Sequence, residues 1–216
     1  MCSIYFYPIM LKRFHQKGIL EAGVDEAGRG CLAGPVTAAV VILQQEKKFR
    51  WYSRLNDSKK LLPEVRHELR KYIEEHALCW SVAHADHTEI DSINILNATY
   101  LAMHRAIGSL KQQPAFLMID GNRFKPYGTI PHKCVVQGDG TYLAIAAASI
   151  LAKTHRDELM QKLHDEYPHY GWNQNKAYAT EMHRKAIEEH GMSLYHRRSF
   201  HLKSMQLELE LEELDN

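Results

Sequence analysis

Two adjacent carboxylates, Asp25 and Glu26, stand directly before Ala27-Gly28-Arg29-Gly30 in this 216-residue chain. Hard carboxylate oxygens suit a divalent cation. Glycines at 28 and 30 carry no Cβ, so bare backbone there can approach an anion closely, and Arg29 adds positive charge beside it. A phosphate diester fits that combination of metal ligands, open backbone and cation. An ordinary acidic strand-to-loop turn has the same residues, so a catalytic assignment needs further acids placed to join these two. Asp120 ends the apolar run 115–119 and is followed at once by Gly121, which repeats the Asp25 pattern. Asp139 follows the short strand pattern at 132–136, within Gln137-Gly138-Asp139-Gly140. For Asp139 the competing reading is the N-cap of the helix that comes next.

The elements around these acids read as an α/β domain. Residues 19–25 form a first strand, 36–43 a β-branched buried second strand in a hairpin-like return, and 78–85 a third. Helical spacing runs from Pro63 to residue 76 and again over 88–110, with Thr88 as N-cap. The alanine-rich run 144–153, inside a helix over 141–167, predicts close packing on the sheet because small side chains permit a near approach. With the strands ending at Asp25 and Asp120 as parallel neighbours, their carboxylates meet at the sheet edge where ligands of open α/β sheets bind. Lys59 and Lys60 face phosphate only if the fold brings them to that rim, and otherwise face solvent. Between 170 and 198, Tyr170, Trp172 and Tyr178 interleave with Lys176, Arg184, Lys185, Arg197 and Arg198. That mixture offers stacking faces and phosphate contacts for nucleic acid, or a satellite aromatic cluster packed under a loop.

With 45% hydrophobic residues the chain can bury a real core. We divide it into a lead-in at 1–18, a body at 19–204 and an acidic tail at 205–216. No run approaches the ~20 apolar residues that span a bilayer, and no positive segment precedes the short apolar start at 4–11, so a cytoplasmic protein is expected. Cys2, Cys31, Cys79 and Cys134 include no Cys-x-x-Cys pair and read as reduced, mostly core residues. Of 14 histidines only His84 and His87 share a ligand-like spacing, so surface histidines are expected. The tail holds Glu208, Glu210, Glu212, Glu213 and Asp215 without a Lys or Arg, so the net charge of +1 conceals a remainder, residues 1–204, that is six charges positive. Such a balance suits a nucleic-acid partner without establishing one. The Leu/Glu alternation at 207–214 is read as a surface helix.

Taken in order, several motifs closely resemble type 2 ribonuclease H, specifically the bacterial ribonuclease HII family. They are Asp25-Glu26-Ala27-Gly28-Arg29-Gly30, Asp57-Ser58-Lys59-Lys60-Leu61, Ile93-Asn94-Ile95-Leu96, Ile119-Asp120-Gly121-Asn122, Gly138-Asp139, the stretch 146–153 and His196-Arg197-Arg198-Ser199-Phe200. The resemblance implies a ribonuclease H-like fold: a mixed five-stranded sheet flanked by helices, with a C-terminal helical extension. It implies an endoribonuclease whose catalytic, metal-binding carboxylates are Asp25, Glu26, Asp120 and Asp139, working with two Mg2+ or Mn2+ ions. The expected reaction is hydrolysis 5′ to ribonucleotides, in RNA·DNA hybrids and at single ribonucleotides embedded in duplex DNA, leaving 3′-hydroxyl and 5′-phosphate ends. Gly28, Arg29 and Gly30 are implied to sense the 2′-hydroxyl and Tyr178 to sense the substrate, and Lys59, Arg197 and Arg198 are assigned to substrate binding. Two positions depart from the family pattern: Ala177 replaces the usual glycine and Cys31 the usual proline. With 24 residues before Asp25 there is no room for the N-terminal domain of ribonuclease HIII. A monomer is expected, and no clamp-binding peptide is expected near Gln206. The alternative is a non-catalytic nucleic-acid binding module of the same fold, which the presence of all four acids argues against.

Overall fold

The computed structural model describes residues 11–56 and 58–200, with Lys60 described by its backbone alone. The expected acidic tail helix therefore lies outside the described residues. Five strands form one mixed sheet in the order β3-β2-β1-β4-β5: β1 Glu21–Ala27, β2 Val36–Ile42, β3 Cys79–Ala85, β4 Phe116–Asp120 and β5 His132–Val135. β2 is antiparallel to both β1 and β3, while β4 is parallel to β1 and β5. The hairpin-like return of β2 and the parallel pairing of the two acid-tipped strands are thus both present.

β2 is buried on both faces, which is why it reads as an unbroken β-branched run. Its side chains alternate between two cores. Val36, Ala38, Val40 and Ile42 pack toward α2 (His87–Gly108), while Ala39 and Val41 pack toward α1 (Pro63–His76) and α3 (Leu143–Glu166). α3 lies so close to β1 that a Cβ at Gly23 would sit 2.2 Å from the backbone carbon of Ala144. This is the approach that the alanine-rich run permits.

Two local expectations need correction, and one competing reading falls. The N-cap of α2 is Asp86, not Thr88: Asp86 accepts the amide of Glu89 at 2.9 Å and Glu89 reaches back to the Asp86 amide, a reciprocal capping box. α2 is also broken at Asn94 (φ 65°), whose side chain accepts the amides of Leu96 and Asn97 and restarts the helix. Finally, Asp139 does not cap α3. It sits in a 3-10 turn at Gly138–Gly140, and the N-cap of α3 is Tyr142 without a side-chain bond.

The C-terminal extension carries α4 (Trp172–Asn175) and α5 (Glu181–His190). Isolated bridges Cys31↔Tyr178 and Ala33↔His196 join it to the segment after the glycine turn. Tyr170 and Trp172 are buried in its own small core with Met160 and Ile187, so these aromatics form the satellite cluster and not stacking faces. His183 and His196 are buried there too, against the expectation of surface histidines. Among the described residues no helix is long and apolar enough to cross a membrane.

Candidate active site

The pairing of β1 with β4 sets Val24 opposite Ile119, so the next residues, Asp25 and Asp120, stand at the same level of the sheet. β4 ends there, while β1 runs two residues further beside β2, to Ala27. β5 ends beside Asp120, and Gln137 (φ 55°) turns the backbone so that the Gly138 amide donates to Asp120 Oδ1 at 2.7 Å. That bond draws the turn carrying Asp139 to the same edge. Asp25, Glu26, Asp120 and Asp139 all line one cleft of about 490 Å3.

The cleft is electrostatically tense. Burial holds the Asp25 carboxyl well above the usual carboxylate range, and the charges of Glu26 and Asp120 push it further up. A hydrogen bond from Ser149 on α3 opposes them, and Ser149 is itself 2.9 Å from the Ser58 hydroxyl. Burial also raises Glu26, against the pull of Arg29, whose guanidinium pairs with it at 3.1 Å. Lys59, an exposed residue lining the same cleft, lowers Glu26 as well. Like charges crowded in a half-buried pocket are a standing demand for a cation. The donor set is all oxygen, which suits Mg2+ or Mn2+ over softer ions. Among the described residues no three carboxylate, imidazole or thiol side chains already stand close enough together to hold a metal ion. Present contacts direct one oxygen elsewhere on each of three acids: Asp25 to the Glu26 amide, Glu26 to Arg29 and Asp120 to Gly138.

Gly28, Arg29 and Gly30 form the wall of the cleft next to Glu26. Gly28 has φ 93°, a conformation that disfavours any side chain, and a Cβ there would meet Arg156 Nε at 2.0 Å. Tyr178 faces them, 43% exposed. Ala177 takes φ 64° and Lys176 φ 50°, so alanine adopts the left-handed backbone that glycine would favour, with its methyl fully buried. Cys31 is likewise buried, bridged to Tyr178. Both departures are accommodated without moving Tyr178 out of the cleft.

Arg197 requires a correction. It is 0% exposed and donates to the carbonyls of Gly28, Arg29 and Gly34, so it holds the glycine turn and presents no charge to a ligand. Arg198 is exposed, but it lies outside the cleft lining, and its backbone amide is taken by Asp91. Other residues of the cleft were not singled out by sequence. Ile95, delivered by the break at Asn94, Ser149, Lys153 and Phe200 all line it. Two flanking hollows share residues with the cleft, one through Glu26, Arg29 and Asp120 with Arg123, the other through Lys153 and Tyr178 with Arg66 and Lys176. The three together make a groove with basic residues at both ends.

The ribonuclease HII family model matches residues 22–203, nearly the whole of the described chain. The chain belongs to the ribonuclease HII family. It is 60% identical over 200 residues to ribonuclease HII of Cytophaga hutchinsonii, covering 92% of this chain and 98% of that one. Its fold matches the crystal structure of ribonuclease H2 from Pyrococcus horikoshii with a TM-score of 0.70 at 25% identity, over 83% of this chain and 93% of that one. The fold of Bst-RNase HIII, solved in complex with Mn2+, matches with a TM-score of 0.69 at 16% identity, over 88% of this chain and 70% of that one. Membership makes this chain a ribonuclease H: a divalent-metal-dependent endonuclease, a hydrolase that acts on RNA·DNA hybrids. The ribonuclease H-like sheet, order and flanking helices are those the family carries.

Proposed function

We propose that the chain cuts the phosphodiester 5′ to a ribonucleotide, both in hybrids and at a single ribonucleotide within duplex DNA, leaving 3′-hydroxyl and 5′-phosphate ends. The observation that carries this reading is a single cleft lined by all four acids together with the glycine turn and Tyr178. The acids serve the reacting phosphate, and the turn and Tyr178 serve the sugar that identifies it.

Asp25, Glu26, Asp120 and Asp139 would hold the divalent ions, Mg2+ or Mn2+. A bound pair activates the attacking water and stabilises the leaving 3′-oxygen of an in-line displacement. Asp25, buried beside Glu26 and Asp120, would be the central ligand. Ser149 favours the ionised Asp25 carboxylate by donating to it, opposing the burial that favours its proton. The Gly138 amide fixes the rotamer of Asp120. Gly28, Arg29 and Gly30 bring backbone amides and one guanidinium to the phosphate and the 2′-hydroxyl, the group that separates RNA from DNA. Tyr178 stacks against the sugar-base face of the chosen nucleotide. Lys59 contacts a phosphate at the cleft, Arg198 contacts one beyond its lining, and Arg197 acts only through the turn it supports. The catalytic body comprises residues 19–204 and works as a monomer on its duplex in the cytoplasm. Ribonucleotide removal from DNA and primer clearance are the processes that need this cut.

The test is Asp25→Asn. Cleavage should fall to background while the affinity for a ribonucleotide-containing duplex stays close to wild type. Near-normal turnover in this variant would contradict the assignment.

A further inference from the structure

Arg156 and Arg197 are the most deeply buried cations of the described chain, at 1% and 0% exposure. Sequence reasoning places arginines at the surface, because a buried charge is costly unless something compensates it. Here the compensation comes from six backbone carbonyls. Arg197 donates to Gly28 (2.7 Å), Arg29 (2.9 Å) and Gly34 (3.0 Å). Arg156 donates to Lys176 (2.9 Å), Pro35 (3.1 Å) and Ala33 (3.3 Å). Burial lowers the Arg197 guanidinium to about 10, and the neighbouring charge of Arg156 adds to that fall. Two like charges held together in the interior destabilise the fold, and an apolar pair would fill the space at less cost. Their geometry shows what they supply instead.

A trans peptide sets its N–H opposite its C=O, and the chain has no cis peptide among the described residues. Pinning the Gly28 and Arg29 carbonyls inward on Arg197 therefore turns the amides of Arg29 and Gly30 outward, and both residues are exposed on the cleft side. Arg156 lies directly under Gly28 and clamps the Lys176 carbonyl, two residues before Tyr178. Phe200 covers Arg197, with the guanidinium carbon 5.0 Å from the ring centre, and the same ring lines the cleft. We propose that Arg197 is a positioning residue for ribonucleotide selection: it aims the Arg29 and Gly30 amides at the 2′-hydroxyl, and Arg156 locks that turn in register with Tyr178. This rests on the reading of the glycine turn given above.

The test compares Arg197→Lys with wild type. Lysine keeps the charge but cannot reach three carbonyls in a fork. Affinities in EDTA are measured for two duplexes that differ only in one 2′-hydroxyl. Wild type should prefer the ribonucleotide duplex, and the variant should lose about tenfold of that preference while its all-DNA affinity is unchanged. Equal weakening on both duplexes, or a preserved preference, overturns the role of Arg197. A wild type without any preference overturns the reading of the glycine turn and this inference with it. A second measurement needs no variant and decides the matter if Arg197→Lys fails to fold. Amide hydrogen exchange of the wild type should show Arg29 and Gly30 unprotected in the free protein, then protected by the ribonucleotide duplex and not by its all-DNA counterpart. Protection already present in the free protein overturns the proposal.

Discussion

The Gly138 amide and the Asp120 carboxylate are joined by a 2.7 Å hydrogen bond, which ties the end of β4 to the turn that carries Asp139. The contact depends on the missing side chain. A Cβ at Gly138 would stand 2.6 Å from Ile145 Cδ1 and 3.2 Å from Asp120 Oδ1. Gly138→Ala should therefore lose about 1–3 kcal/mol of stability by overpacking. It should also lower turnover beyond that, because two of the four acids shift together. Urea denaturation and single-turnover cleavage of a hybrid measure the two effects separately, and wild-type values in both would show that the turn is not held this way.

Asp25 is buried among like charges, and its carboxyl is raised well above the usual range. For an acid raised on folding, the native state binds more protons than the unfolded state, so stability falls as pH rises from the ordinary carboxylate range to the raised value. At neutral pH without metal, Asp25→Asn removes that penalty and should raise the melting temperature by a few degrees. Added Mn2+ should stabilise wild type in proportion to the logarithm of its concentration and leave the variant almost unmoved. Thermal melts with and without EDTA check both directions, and a variant that melts lower without metal would contradict them.

His183 and His196 face each other at 3.2 Å in the interior of the extension. Trp172 donates to His183, and the Ser193 amide donates to His196. His183 is left to donate through Nδ1 to the Tyr178 carbonyl, with both rings neutral. Burial lowers both, His196 to about 4, with the His183 charge next in importance. A base lowered on folding binds protons in the unfolded state first. The stability it contributes is therefore complete above the ordinary histidine value and is lost as pH falls from there toward 4. Urea midpoints measured between pH 7 and 4 should drop in wild type and drop less in His196→Gln. A parallel fall in both would place the acid sensitivity elsewhere.

Much of this architecture is legible in the chain itself. The apolar run that stops at Asp120 marks the end of β4, while β1 continues past Asp25 to Ala27, and the two strands need to be parallel neighbours, as they are, for their acids to meet. The alanine run of α3 announces its close seat on Gly23. The rest escapes for physical reasons. Arginine reads as a surface residue, so nothing in the spacing of Arg156 and Arg197 reveals two guanidinium groups satisfied by backbone carbonyls. Tyr170 and Trp172 have the composition of a stacking surface and are buried, because the extension needs a core of its own. The break at Asn94 is hidden by apolar periodicity that continues on both sides, and Asp86 outcompetes Thr88 as a cap through a reciprocal bond with Glu89. Ser149 lies within an alanine-rich helix, where a hydroxyl aimed at Asp25 cannot be told from one facing a neighbouring turn.

The central claim is that one cleft both cuts the phosphodiester and recognises the 2′-hydroxyl. The most direct measurement is cleavage of an end-labelled DNA duplex containing one ribonucleotide, mapped at nucleotide resolution in Mg2+, Mn2+ or EDTA beside a continuous RNA·DNA hybrid. A metal-dependent cut immediately 5′ to the lone ribonucleotide, abolished by EDTA, is expected. Cleavage of the hybrid with the single-ribonucleotide duplex left intact would contradict this, keeping the acids as the reacting groups and removing the glycine turn and Tyr178 as the groups that select.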